Sequence, residues 1–217
     1  MDTRVIGLTG PIGCGKSTIA RELSRRIQFS QVVSFAEGLR HVVSYVYGIP
    51  EESWKDSTFK ATPHDRLGGA TPRKALQVVG TEGFRAVYPN TWVDFMERRI
   101  QKLGSEVKGG VVIIDDVRFI NEAKMIHRLG GELVYIESKR PNERPVTTLD
   151  RILRILNIGK HSAVHESESN FRALHKMADY VIRNNWKIDL DDPDDPVQQQ
   201  QYLADRVSDL LEFLYEH

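Results

Sequence analysis

The chain has 217 residues, room for one large domain or one domain carrying inserted segments. Lysine plus arginine and aspartate plus glutamate both number 30, so the formal net charge is zero and the global basic excess of a duplex-binding protein is missing. With 40% hydrophobic residues, one cysteine and no run near the roughly 20 apolar residues of a membrane span, the composition describes a globular chain without intramolecular disulfides or membrane helices.

The opening stretch MDTRVIGLTG lacks a signal-peptide pattern, which with the lone Cys14 predicts an intracellular, cytoplasmic protein. Arg4 to Thr9 is a short β-branched run ending in glycine and predicts a first strand; Lys16 to Ile27 has helical spacing, with Ile19, Ala20, Leu23 and Ile27 on one face. A second strand is expected at Gln31 to Phe35 and a helix from Ala36 to Tyr47, ended by Gly48-Ile49-Pro50. Residues 51–72 are polar and broken by Pro63, Gly68, Gly69 and Pro72, the composition of a loop or mobile segment. Helical spacing returns at Arg73 to Val79 and Trp92 to Leu103. GGVVIID (109–115) is a continuous apolar run, as expected of a strand buried on both faces of a parallel sheet. A helix at Asn121 to Leu129, a strand at Glu132 to Glu137, a helix at Thr148 to Leu156, a strand at Asp179 to Asn184, an acidic linker at 189–196 and a helix at Val197 to Tyr215 complete the pattern. Alternating strands and helices predict βαβ units and a parallel sheet of about five strands.

The first chemical signal is GPIGCGKS (10–17), with the spacing GxxxxGKS between a predicted strand and a predicted helix. Glycines let the backbone wrap a phosphate, the loop amides and the helix N-terminus face it, Lys16 neutralises it, and Ser17 is placed to ligate Mg²⁺. Cys14, inside the loop, reads as a small space-filling residue. The second signal is VVIIDDVRF (111–119): an acid at the end of a parallel strand beside such a loop can hold Mg²⁺ through water, and Asp115 and Asp116 both qualify. Arg118 follows at a spacing that suits a phosphate contact or a surface ion pair equally. Arg73, Lys74, Gln77 and Arg85 in TPRKALQVVGTEGFR (71–85) form either a second anion site or the solvated face of an amphipathic helix. SKRPNERP (138–145) is either an arginine-bearing closing segment or an exposed loop. HSAVHESE (161–168) matches no zinc spacing. Glu37 is the one acid near the end of the second strand, so candidate general bases are few and arginines many. An acceptor that is already an ionised phosphate needs no base, and this balance favours one over a hydroxyl acceptor.

Four stretches together resemble one family. GLTGPIGCGKST is shared by nucleoside monophosphate kinases and dephospho-coenzyme A kinases; SFAEGLR, RKALQVVGTEGFR and DVRFINEAKMIHRLGGELVYI are similar to segments of bacteriophage deoxynucleoside monophosphate kinases. The resemblance covers roughly residues 4–185. It implies an α/β fold: a three-layer P-loop kinase whose core is 1–35, 109–137 and 176–217, with a monophosphate-binding insertion at about 36–108 and a lid at about 138–175. It implies transfer of the γ-phosphate of ATP, with Mg²⁺, to a deoxynucleoside monophosphate, giving the diphosphate for DNA precursor supply.

By position, the resemblance places Gly10, Pro11, Ile12, Gly13, Cys14, Gly15, Lys16, Ser17 and Thr18 on ATP, with Arg140 and then Arg144 as lid arginines. Glu37, Arg40, Arg73, Gln77, Thr81, Arg85, Trp92 and Arg118 are expected around the monophosphate. Asp116 comes ahead of Asp115 as the metal acid beside Ser17, and Lys16, Arg118 and Arg140 are expected at the moving phosphoryl group. The implied partners are a small-molecule nucleotide and a homodimer mate, with no nucleic acid and no membrane; a phage-encoded enzyme would work in the host cytoplasm. Another small-molecule kinase, such as one for dephospho-coenzyme A, and a non-enzymatic nucleotide switch are the alternatives. The base is not legible.

Overall fold

A computed structural model of the chain describes residues 3–106, 109–138, 170–185 and 189–216. Five strands, β1 (Arg4–Thr9), β2 (Ser30–Val33), β3 (Val111–Val117), β4 (Glu132–Glu137) and β5 (Tyr180–Arg183), form one parallel sheet in the order β2-β3-β1-β4-β5. Eight α-helices lie among the described residues: α1 (Lys16–Arg26), α2 (Ala36–Tyr47), α3 (Ser57–Ala61), α4 (Pro72–Gln77), α5 (Thr91–Glu106), α6 (Ile120–Arg128), α7 (Phe171–Met177) and α8 (Pro196–Glu216). The predicted helix at 148–156 lies outside the described residues.

The apolar runs are continuous because both faces of the sheet are covered. Ile6, Leu8, Ile113, Val134 and Ile136 pack with Ile19, Ala20 and Leu23 of α1 and with Val207, Leu210 and Leu214 of α8. Val5, Val112, Ile114 and Leu133, of opposite parity, pack with Leu39 and Val43 of α2, Val93, Met96 and Ile100 of α5, and Met125 and Ile126 of α6. Helices on both faces of one sheet make the three layers of an α/β fold.

The segment between Glu51 and Leu67 is more ordered than its polar composition predicts. It runs through a 3₁₀ turn (Glu51–Lys55), α3 and a second 3₁₀ turn (Asp65–Leu67). Trp54 supplies the anchor: it is buried, its indole N–H donates to Ser44 Oγ at 2.7 Å, and its ring meets Phe59 edge-on. One aromatic side chain thus orders a stretch whose local propensity favours a loop. The next helix also runs on beyond prediction. α4 continues without a break into a π-helical segment, Val78–Arg85.

Toward the end of β1 the pairing with β3 shifts register between Gly7 and Thr9. The buried Thr9 hydroxyl closes the irregularity by donating to the Val117 carbonyl at 2.9 Å. The C-terminal ends of the two central strands are therefore pinned together where the glycine loop begins. Ile113 is fully buried at the centre of the sheet, so Ile113→Ala is expected to lower the unfolding free energy by about 2–5 kcal/mol, read from urea denaturation.

Candidate active site

In open α/β sheets ligands bind beyond the carboxyl ends of the strands, and the predicted residues gather there. Residues 10–15 turn tightly between β1 and α1. Gly10 and Gly15 hold φ values of 140° and 96°, and a Cβ at either would lie 2.4 Å from Ile136 O or 2.5 Å from Asn184 Nδ2. The loop is thus wedged against β4 and the residue after β5, and Asn184 Nδ2 donates to Cys14 O at 2.8 Å. Cys14 is buried in the α1-side core. Lys16 folds back into the loop, where Nζ donates to Gly10 O at 2.7 Å and Pro11 O at 2.8 Å. Burial lowers its pKa, Arg118 adds to this, and Cys14 and Asp116 oppose it. The amide of Thr18 closes the first turn of α1 on Gly15 O, and Ile12, Lys16 and Ser17 line the adjoining cavity. Gly13 turns with φ 79° between them.

The two aspartates divide by strand parity. Asp115 shares the face of Ile113, toward α1, and accepts a 2.7 Å hydrogen bond from Ser17 Oγ. Asp116 shares the face of Ile114, toward α2, and accepts from the amides of Phe35 at 2.7 Å and Ala36 at 3.0 Å. Asp116 is thus committed to fixing the start of α2. Asp115 is the aspartate that faces the Ser17 hydroxyl. Burial, helped by Asp116, pushes the Asp115 carboxyl up to about 6, while Ser17, Arg40 and Lys16 pull it down. A hydroxyl and a carboxylate are hard oxygen donors of the kind Mg²⁺ takes, so the pair fits that ion.

Beside them lies a cavity of about 330 Å³. Arg40, Arg73, Gln77, Thr81, Arg85, Trp92 and Arg118 all line it, although they come from α2, α4, the π-helical segment, α5 and the chain after β3. Arg40 donates to Ser34 Oγ at 2.7 Å. The side chains of Arg73 and Arg118 have no hydrogen-bond or ion-pair partner among the described residues. Arg85 differs. Its guanidinium pairs with the buried Glu122 carboxylate, lies 3.8 Å from the centre of the Phe119 ring and donates to Pro89 O at 3.1 Å.

Trp92 is a wall of the cavity rather than an open stacking face. It is buried, packed edge-on with Phe84 and Phe95, and its indole N–H donates to Gly80 O at 3.2 Å. Glu37 does not line the cavity; it is paired with Arg99 at 3.1 Å. Arg140, Arg144 and HSAVHESE lie outside the described residues.

Two charged lining residues, Lys60 and Glu122, were not among those predicted. Lys60 reaches the cavity from α3; burial lowers its pKa, with Arg40 and Arg73 adding to the effect. Nothing in its polar surroundings marks it in the sequence. Glu122 falls inside DVRFINEA, but its role depends on contacts that spacing does not reveal. The order of the aspartates, by contrast, was readable: alternation along β3 puts Asp115, not Asp116, on the face of the helix that carries Ser17.

A glycine loop and lysine at the sheet's carboxyl edge, facing a cavity lined by arginines, define a P-loop phosphotransferase. No family model matches the chain. A protein of Acanthamoeba polyphaga mimivirus, carrying the provisional name deoxynucleotide monophosphate kinase, is 32% identical over 194 residues, covering 85% of this chain and 90% of that protein. The chain belongs to the deoxynucleotide monophosphate kinase family. Among solved structures, dephospho-CoA kinase from Campylobacter jejuni aligns at 16% identity over 98% of both chains with a TM-score of 0.50, which agrees on the fold. Shikimate kinase from Bacteroides thetaiotaomicron aligns at 20% identity over 96% of this chain and 98% of that one, with a TM-score of 0.44.

The division of labour between the aspartates has a measurable consequence without any ligand. Asp116→Ala strands two amides and is expected to cost about 1–3 kcal/mol of stability in metal-free urea denaturation. Asp115→Ala removes a carboxylate with one hydroxyl partner and is expected to cost less.

Proposed function

We propose that the protein transfers the γ-phosphate of ATP to the phosphate of a deoxynucleoside monophosphate, producing the diphosphate. The observation that carries this reading is the set of cations around one cavity. Arg40, Lys60, Arg73 and Arg118 line it without a contact ion pair to a carboxylate among the described residues, next to Lys16 and Ser17 of the glycine loop. Like charges so placed repel one another, and a bound multiply charged anion relieves the repulsion. A nucleotide switch has no use for a second phosphate site.

The acids support a phosphate acceptor. Asp115 accepts from Ser17, Asp116 from two amides, and Glu122 from Arg85 and two amides. Each cavity-lining carboxylate is engaged, and Glu37 is turned to Arg99. No carboxylate stands free among them to take a proton from an alcohol. A monophosphate is already ionised and requires positioning and charge neutralisation instead.

In this reading the loop amides and Lys16 hold the β- and γ-phosphates, so Lys16 exchanges the carbonyls of Gly10 and Pro11 for phosphate oxygens. Ser17 and Asp115 would hold Mg²⁺, which would supply neutralisation of the phosphate charge. Arg40, Arg73 and Arg118 orient the acceptor phosphate, with Arg85 behind them and Lys60 entering from α3. Gln77 and Thr81 are placed toward the nucleoside. The residues between β2 and β3, about 36–108, act as the monophosphate-binding insertion. The lid role of about 138–175, with Arg140 at the moving phosphoryl group and Arg144 beside it, is the part of the proposal that the described residues do not cover. The working site is the cell's cytoplasm; a viral relative fits a role in DNA precursor supply. Among the described residues no helix is long and apolar enough to cross a membrane.

The decisive experiment is a transfer assay from γ-labelled ATP to dTMP, dGMP, dCMP, dAMP and modified pyrimidine monophosphates, with dephospho-CoA as a competing acceptor. Labelled deoxynucleoside diphosphate is the expected product. Hydrolysis of ATP without transfer to any monophosphate would overturn the proposal. Lys16→Ala is expected to retain the fold, judged by circular dichroism, and to lose transfer by several orders of magnitude. Asp115→Asn is expected to shift the Mg²⁺ concentration for half-maximal rate upward by about tenfold or more, and Asp116→Asn by much less, in a Mg²⁺ titration at saturating nucleotides.

A further inference from the structure

We infer that Glu122 is a positioning residue for the acceptor site, acting through Arg85 and the backbone of Arg118. The inference rests on the proposed kinase reading. Glu122 opens α6, and its side chain is 2% exposed. Oε1 accepts from Arg85 Nη2, and Oε2 accepts from the amides of Arg118 at 2.7 Å and Phe119 at 3.0 Å. One carboxylate therefore ties together the end of the π-helical segment, the chain after β3 and the first turn of α6.

The result is a guanidinium held on three sides. Nη2 donates a hydrogen bond to Glu122, Nη1 donates to Pro89 O at 3.1 Å, and the Phe119 ring covers one face at 3.8 Å. A guanidinium has five N–H groups. These contacts use two of them, while Arg85 still lines the cavity. The Arg118 side chain also lines the cavity, and its main-chain origin is fixed by the same carboxylate. The Arg85 guanidinium and the backbone from which the Arg118 side chain springs are thus set before any anion arrives.

The Phe119 bond is the N3 half of a capping box at the start of α6, a structural role, but capping does not call for the Arg85 pair. Burying an ion pair gains little over a well-packed apolar pair, because desolvation offsets the attraction. Burial pushes the Glu122 carboxyl up to about 7, against the pull of Arg85 and the two amides. A group placed at such a cost stabilises a particular geometry more than it stabilises the fold. Glutamine cannot replace it cleanly. Its amide nitrogen is a donor and would face either Arg85 or the two amides, all donors themselves.

Steady-state kinetics on the full chain test the inference, with ATP and the best monophosphate from the acceptor panel. Glu122→Gln is expected to raise the monophosphate KM about tenfold or more with little change in the ATP KM. If Glu122 works in part through Arg85, the two are not independent, and the effect of Glu122→Gln/Arg85→Ala on the monophosphate KM is expected to fall well short of the product of the two single effects. An unchanged monophosphate KM in folded Glu122→Gln, an equal rise for both substrates, or additive effects in the double variant would overturn the inference. Should Glu122→Gln fail to fold, Glu122→Asp, which keeps the charge on a shorter arm, is judged by the same criteria. Wild-type turnover separates the two levels: if the wild type phosphorylates no monophosphate, the kinase reading falls and this inference with it. If it does so and the variants behave as independent, only the role of Glu122 falls.

Discussion

Holding several cationic side chains against one small cavity is electrostatically unfavourable, and much of the architecture follows from the need to do so. Lys16, Arg40, Lys60, Arg73, Arg85 and Arg118 converge from five different parts of the chain. Flexible arms would swing outward into water and lose the convergence. What prevents this is a rigid base. The central strands are packed on both faces, their ends are pinned by the Thr9 to Val117 bond, and Asp116 ties the start of α2 to the end of β3. The acids at the site serve mainly as internal struts: one for a helix start, one for a guanidinium, and one beside the hydroxyl of the glycine loop.

The fold was legible to the extent that hydrophobic runs determine it. β1 and β4 begin and end where their apolar patterns do, because both faces of each strand are buried and polar residues interrupt at the ends. Lys16 and Ser17 were legible because a phosphate-wrapping turn tolerates few residue types at few positions. The segment from Glu51 to Leu67 was not. Its order comes from Trp54 inserting beside α2, a tertiary contact that no local propensity encodes.

The candidate site was legible in its membership more than in its wiring. Arg40, Arg73, Gln77, Thr81, Arg85 and Arg118 do reach one cavity, from three segments well separated in sequence. Which carboxylate serves which cation could not be read from spacing. Glu122 is 37 residues from Arg85 in sequence, and Asp116 is 81 from Phe35. Trp92 and Glu37 illustrate the same limit: an aromatic ring and an acid near a motif look available in one dimension, yet both are already occupied in three.

The π-helical segment adds a constraint of another kind. Arg73, Gln77, Thr81 and Arg85 recur every four residues, and all four face the cavity. In an ordinary helix each step of four overshoots a full turn by about 40°, so the last residue would point about 120° away from the first. Wider turns, with about 4.4 residues each, fall short by roughly 30° per step and swing the row back. The change of pitch at Val78 therefore straightens a row that would otherwise spiral off the site. Chain length between Gln77 and Arg85 then matters more than the identity of most residues there. Losing a single residue would let the helix tighten and leave the arginine misaligned, while many exchanges of side chain would pass without effect.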